Sequence, residues 1–302
     1  MCERERLRTP RAADRLLPSA MTKSDFLERA LGNQVSIPTL PVVVQRINAM
    51  MTDPEIGLRD IGREVAKDAP IATKVLRIAN SAFYGLREKV VSTEHAASVL
   101  GLRVLKNLVL QASVIAQFEH LAKLGGFDLE AQWRHSIAVA QFCQELTRGS
   151  GVGFALGPDE FYSCGLLHDI GKVVLLDNLA REYVEVVQSA AKSGRPIHVV
   201  EDEQLGFDHA AIGARVAQTW GLPDVLVRAI GMHHGKLETL LADNPNAAVV
   251  ATANAIVHRL EKEPDLPGID AVKGLVLGPL GLEPTRAAQI VGAARRALAA
   301  DA

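Results

Sequence analysis

The sequence predicts an all-α fold built as two helical lobes. Three observations predict it. Apolar residues recur at helical spacing along most of the 302 residues. No stretch alternates apolar and polar residues at the period of a strand, and the Val-rich runs 42–44 and 90–91 are too short to require one. Gly125-Gly126 and the segment Glu263-Pro264-Asp265-Leu266-Pro267-Gly268 interrupt the helical pattern and divide the chain. The expected organisation is a basic disordered tail over 1–20, an N-terminal helical lobe over 21–124, a second helical lobe over 125–263 and a C-terminal helical extension over 264–302.

Taken in order, the tail carries Arg4, Arg6, Arg8, Arg11 and Arg15 without an apolar segment, which is not the pattern of a secretory signal. Met21 precedes an apolar-periodic run and is the expected true start. Pro41 suits a first helical turn, and Leu40, Val43, Val44, Ile47, Met50 and Met51 then share one face. Ile71, Val75, Ile78 and Ala79 repeat that pattern. Asn80, Ser81 and Tyr84 are expected to cap or stitch helices of this lobe. Ser92 and Thr93 are N-cap candidates for one long helix carrying Val99, Leu102, Leu105, Leu108, Val109 and Ile115. In the second lobe helices are expected over 133–146, 161–176, 180–191, 209–220, from Pro223 to about Met232, and over 246–261. A final Ala/Arg-rich helix follows near 284–300.

Composition narrows the function classes. With 48% apolar and 23% charged residues the chain is ordinary globular material, so wholesale disorder is excluded. No apolar run approaches the roughly 20 residues of a membrane span, and no membrane partner is expected. Cys2, Cys143 and Cys164 are scattered and odd in number, which argues against a disulfide framework or a cysteine zinc site and for a cytoplasmic setting. The net charge of −2 hides an asymmetry. Residues 127–263 hold 11 Lys/Arg against 18 Asp/Glu, a net −7, so nucleic acid is not an expected partner. That acidity suits a cation site; it equally suits solvated helices. Glu201-Asp202-Glu203 reads as such a solvated face, with Glu203 as the member able to support a site. Arg295-Arg296 reads as surface.

Five of the nine histidines form an ordered series: His135, His168 followed by Asp169, His209, and the pair His233-His234. Several imidazoles with one carboxylate are the donors a divalent transition metal takes. On a continuous helix His168 and Asp169 would point about 100° apart, so both reach one ion only over that helix edge. Lys172 lies on nearly the same face and could pair with Asp169 or meet a phosphate oxygen. Gly165 and Gly171 leave the helix thin where something approaches closely. His95, His120, His198 and His258 read as isolated structural histidines.

These residues resemble a known family. Leu166-Leu167-His168-Asp169-Ile170-Gly171-Lys172 is similar to the signature of the HD superfamily of helical metal-dependent phosphohydrolases, and the other histidines follow in its order. Ile37-Pro38-Thr39-Leu40-Pro41, Asn80-Ser81-Ala82-Phe83-Tyr84-Gly85, His209-Ala210-Ala211-Ile212-Gly213-Ala214 and Trp220-Gly221-Leu222-Pro223 resemble, more narrowly, the HDOD family of bacterial signalling output domains. The resemblance covers about residues 24–260. It implies an N-terminal bundle packed on an HD-type lobe, and a regulatory module with little or no catalysis; the alternative is a metal-dependent phosphohydrolase in which Lys172 steadies developing charge. It implies a divalent metal (Fe, Mn, Zn or Ni) held by His135, His168, Asp169, His209, His233 and His234. A late aspartate of the catalytic members falls at Asn254, a neutral amide, so weakened metal affinity is expected. The Gly-Tyr-Pro motif of the cyclic-di-GMP phosphodiesterases is absent after His233-His234. The implied partners are signalling proteins of two-component, cyclic-nucleotide or motility machinery.

Overall fold

Helix follows helix through the chain, and none of the described residues pairs as a strand. The computed structural model describes residues 35–273, 280 and 283–299, apart from 82, 83, 85, 125, 149 and 151. The expected tail over 1–20 and the start at Met21 lie outside the described residues.

The first lobe comprises α1 (Val42–Met50), α2 (Leu58–Ala66), α3 (Ala69–Ala79), α4 (Thr93–Leu100) and α5 (Leu102–Gln117). Val43, Val44 and Ile47 bury the predicted face of α1, while Met51 falls past the helix end and is exposed. Pro41 caps α1 rather than opening it. Ser92 accepts from the His95 amide, as an N-cap does, but the helix it starts is short. Gly101 has φ 80°, a left-handed conformation that ends α4 and turns the chain into α5. The single long helix read from the sequence is therefore two, and Val99 is left exposed. Asn80 stitches the lobe: its amide donates to the Val90 carbonyl and accepts from the Val90 N–H, both at 2.8 Å.

A 3₁₀ turn (Glu119–Lys123) leads to the second lobe: α6 (Leu129–Thr147), α7 (Pro158–Leu167), α8 (Ile170–Ser193), α9 (Ile197–Leu205), α10 (His209–Thr219), α11 (Asp224–Gly231), α12 (Leu237–Asp243) and α13 (Pro245–Lys262). One expected boundary moves: the helix over 161–176 breaks at His168-Asp169, while α8 consists of two helical stretches that meet at Ala180, whose backbone is non-helical (φ 22°, ψ −89°), where the sequence places a new helix. The short α14 (Gly268–Ala271) and the final α15 (Pro284–Ala299) complete the chain, and α15 packs along α6.

One apolar core runs through both lobes. Phe142, Phe161 and Leu166 are fully buried in it, each worth roughly 1.5–3 kcal/mol relative to exposure. Polar contacts stitch the lobes as well. Tyr162 of α7 donates to Gln111 of α5 at 2.6 Å, and the Trp220 indole donates to the Pro38 carbonyl at 2.8 Å. Asn178 of α8 pairs with both backbone groups of Ser36. Among the described residues no helix is long and apolar enough to cross a membrane.

Candidate metal centre

The break between α7 and α8 makes the site. His168 ends one helix and Asp169 begins the next on turned backbone (φ −101°, ψ 7°), so adjacent side chains reach one point without sharing a helix face. Two glycines let the neighbouring helices close in. A Cβ on Gly165 would stand 2.5 Å from Ala140 Cα in α6. A Cβ on Gly171 would stand 1.9 Å from the His209 carbonyl oxygen, so only glycine allows α8 to meet the start of α10. These approaches bring His135 of α6 and His209 of α10 to the break.

Asp169 is the hub. Its Oδ1 lies 3.0 Å from His209 Nε2 and 3.7 Å from His233 Nε2. Its Oδ2 lies 3.4 Å from His168 Nε2 and 3.7 Å from His135 Nε2. Oδ2 also accepts from Lys172 Nζ at 2.6 Å and from the Gln132 amide at 3.1 Å. His234 Nε2 lies 2.8 Å from His209 Nε2. His135, His168, Asp169, His209, His233 and His234 thus converge, with Lys172 against Asp169.

Each ring is held from behind. Nδ1 of His168 donates to the Gly165 carbonyl at 2.7 Å, and Nδ1 of His233 to the Ile230 carbonyl at 2.6 Å. A carbonyl can only accept, so each proton sits on Nδ1 and each Nε2 presents a lone pair inward. Carboxylates back two more rings: Glu201 meets His209 Nδ1 at 2.6 Å, and Glu261 meets His135 Nδ1 at 2.8 Å. Nε2 of His135, His168 and His233 are buried with no hydrogen-bond partner, and Oδ1 of Asp169 faces the His209 ring at 3.0 Å. Buried polar atoms are ordinarily satisfied. Three unpartnered ring nitrogens turned on one carboxylate, each ring oriented by an acceptor behind it, fit a divalent cation. Asp169 and three of these histidines (209, 233 and 234) could hold one ion, and so could His135, His168 and Asp169. Imidazole nitrogens with one carboxylate suit Zn, Fe, Ni or Mn.

The electrostatics agree. Burial drives the His168 imidazole well below its usual range against the pull of Asp169, and takes His233 down to about 3, so both present lone pairs at neutral pH. Burial pushes His234 down too. His209 is the exception: burial opposes its charge, but Glu201 and Asp169 outweigh that and raise it to about 9. Burial also opposes ionisation of Asp169, yet His168, Lys172 and His209 hold its carboxyl well below the usual range.

Asn254 of α13 lines a cavity of about 630 Å³ together with His233, His234 and His258, and its side-chain oxygen is buried and unpartnered. A second cavity of about 730 Å³ shares Lys172 and His258 with it.

Glu201, His198, His258 and Glu261 escaped the sequence reading. Glu201, expected on a solvated face, is fully buried and accepts from His209 Nδ1, the His209 amide and Tyr183 Oη. The exposed neighbour Glu203 pairs instead with Arg195. His258 stacks on His135 at 4.4 Å, and His198 on His234 at 4.0 Å, so neither is an isolated histidine. Asn254, His258 and Glu261 stand at i, i+4 and i+7 on α13, a shared face that was available as a signal. His120 pairs with Asp177, away from the centre, and His95 stays in α4.

A two-lobed helical chain that turns imidazoles and one aspartate on a common point at an interhelical His-Asp break is a protein of the HD superfamily. Residues 37–236 match the HDOD domain, and the chain belongs to the HDOD family. It is similar in structure to a proposed phosphohydrolase from Shewanella amazonensis SB2B (25% identity, TM-score 0.67, covering 90% of this chain and 97% of that one). It also shares its fold with an HDOD domain protein of unknown function from Geobacter sulfurreducens (21% identity, TM-score 0.68, covering 91% and 88%). In sequence it is 27% identical over 243 residues to an uncharacterized protein of Treponema pallidum, covering 80% of this chain and 46% of that one. A shorter stretch is 30% identical over 122 residues to Ribonuclease Y 2 of Levilactobacillus brevis, covering 40% of this chain and 16% of that one. The chain spans less than half the length of these curated relatives.

Proposed function

We propose that the chain is a regulatory module that binds one divalent metal ion at the histidine centre and acts through protein or small-ligand contacts, with hydrolysis weak or absent. The observation that carries this reading is the state of Asp169. Two-metal hydrolysis uses a carboxylate with both oxygens free to bridge. Here Lys172 and Gln132 already occupy Oδ2. Charge supports one ion as well. Asp169, Glu201 and Glu261 against Lys172 leave two negative charges once His209 gives up its proton to ligate an ion, which balance one dication and leave a second uncompensated. Asn254 adds an amide oxygen and no charge.

The partner is a signalling protein, of the two-component, cyclic-nucleotide or motility kind. The Ribonuclease Y similarity does not extend the proposal to RNA, because the acidic 127–263 lobe repels a phosphate backbone.

The second reading, a metal-dependent phosphohydrolase, is favoured by the unpartnered donors and by Lys172 placed to meet a phosphoryl oxygen. Turnover of bis(p-nitrophenyl) phosphate by the Mn-supplied protein separates the two. The regulatory reading expects no rate above that of Asp169→Ala. Multiple turnovers abolished by Asp169→Ala would replace it with the enzyme.

A further inference from the structure

The larger of the two cavities, about 730 Å³, takes His135 of the metal set into one wall and is closed in part by α15, a helix beyond the residues that match the family. Its volume falls in the range of small-molecule sites, roughly 300–1,000 Å³. The walls are mainly apolar, with Phe127, Val187, Leu260 and Leu298 among them. The charged lining is biased toward cations. Arg134, Lys172 and Arg295 face it against Asp128 and Glu261. Most of these charges are already engaged: Asp128 caps α6 through the Ala131 amide, Glu261 meets His135 and His258, Arg134 pairs with Glu130 and Lys172 with Asp169, which leaves Arg295. Arg295 donates through Nη2 to the Leu266 carbonyl, while its Nε is buried without an acceptor. A buried guanidinium N–H beside an apolar chamber lacks the acceptor it would ordinarily have.

The geometry points to this chamber as a binding site for a small organic anion with an apolar, flat or acyl body, its charged group met by Arg295 and its body seated between α6, α8 and α15. The inference rests on the regulatory reading in one respect: the chamber opens beside Lys172 and His135, so ligand and metal ion share a wall. It assigns α15 the role of setting which ligand this chain takes.

The test uses a matched pair of fluorescent probes on the full chain. One is 8-anilino-1-naphthalenesulfonate; the other, N-phenyl-1-naphthylamine, has the same rings without the anion. The sulfonate is expected to bind saturably, one per chain, and at least tenfold more tightly than its neutral twin. Arg295→Met is expected to erase that preference, and Leu298→Trp, which fills the chamber, to abolish saturable binding. Equal affinity for the twins, non-saturable binding, or a Leu298→Trp protein that still binds the sulfonate would each overturn the assignment. Should Leu298→Trp lose its cooperative melt, the twin comparison on the unaltered chain and Arg295→Met decide. Metal content of the same preparation is read separately. A full metal complement without saturable binding sinks the chamber and leaves the regulatory reading standing.

Discussion

Glu201→Gln isolates the contribution of one buried charge to the metal centre. The substitution keeps shape and hydrogen-bond count. The amide oxygen can take both His209 donors, and the amide nitrogen can donate to Tyr183 Oη, reversing that bond. What disappears is the negative charge behind His209. In the intact protein Glu201 and Asp169 overcome burial and lift His209 from 6.5 to about 9. At about 1.36 kcal/mol per pH unit this is roughly 3 kcal/mol in favour of positive charge at that ring. A metal ion on Nε2 draws on the same field. Loss of such a backing carboxylate lowers metal affinity by about 10–100-fold, or roughly 1.4–2.8 kcal/mol. Competition titration against a fluorescent zinc chelator measures it, and Glu203→Gln at the exposed neighbour should leave affinity unchanged. Wild-type affinity in Glu201→Gln would refute the reasoning.

The other predictions concern packing, charge and pH. Gly171→Ala drives a methyl into the His209 carbonyl, parts α8 from α10, and should cost about 1–3 kcal/mol in a urea melt together with bound metal. Asn254→Asp adds a carboxylate to the cavity shared with His233 and His234 and should tighten metal binding by about tenfold or more; calorimetry showing no change would remove that residue from the centre. In chelator, stability should fall as pH drops below 6.5. His233 is held near 3 in the fold, so only the unfolded chain takes that proton, a loss of about 2 kcal/mol by pH 5. His209 runs the other way: its contribution is complete below 6.5 and lost as pH rises through about 9. Melts at pH 5, 6.5 and 9 should therefore peak at the middle value.

The helices of both lobes were legible because each buries one face, and burial leaves a 3.6-residue imprint. Their ends were less so. Gly101 ends a helix through its own φ, which a Leu-rich period on both sides conceals. The His168-Asp169 break is hidden for a different reason: the flanking residues are all apolar and buried, so periodicity reads straight through it. Of the site, the side chains that converge on the break were legible by residue type and order. Glu201 was not, because its neighbours Asp202 and Glu203 make a charged run that reads as solvent-facing; only the turn between α9 and α10 folds it under His209. His258 and Glu261 were missed because their use depends on α13 lying against α6, a tertiary fact.

The most direct test of the account is the metal content of the full chain purified without chelator and supplied with Mn, Fe, Zn or Ni in turn, with Asp169→Ala and His168→Ala alongside. The account predicts close to one equivalent of divalent ion per chain, lost in both variants. Two equivalents would contradict the one-ion charge balance, and no bound metal would contradict the centre itself.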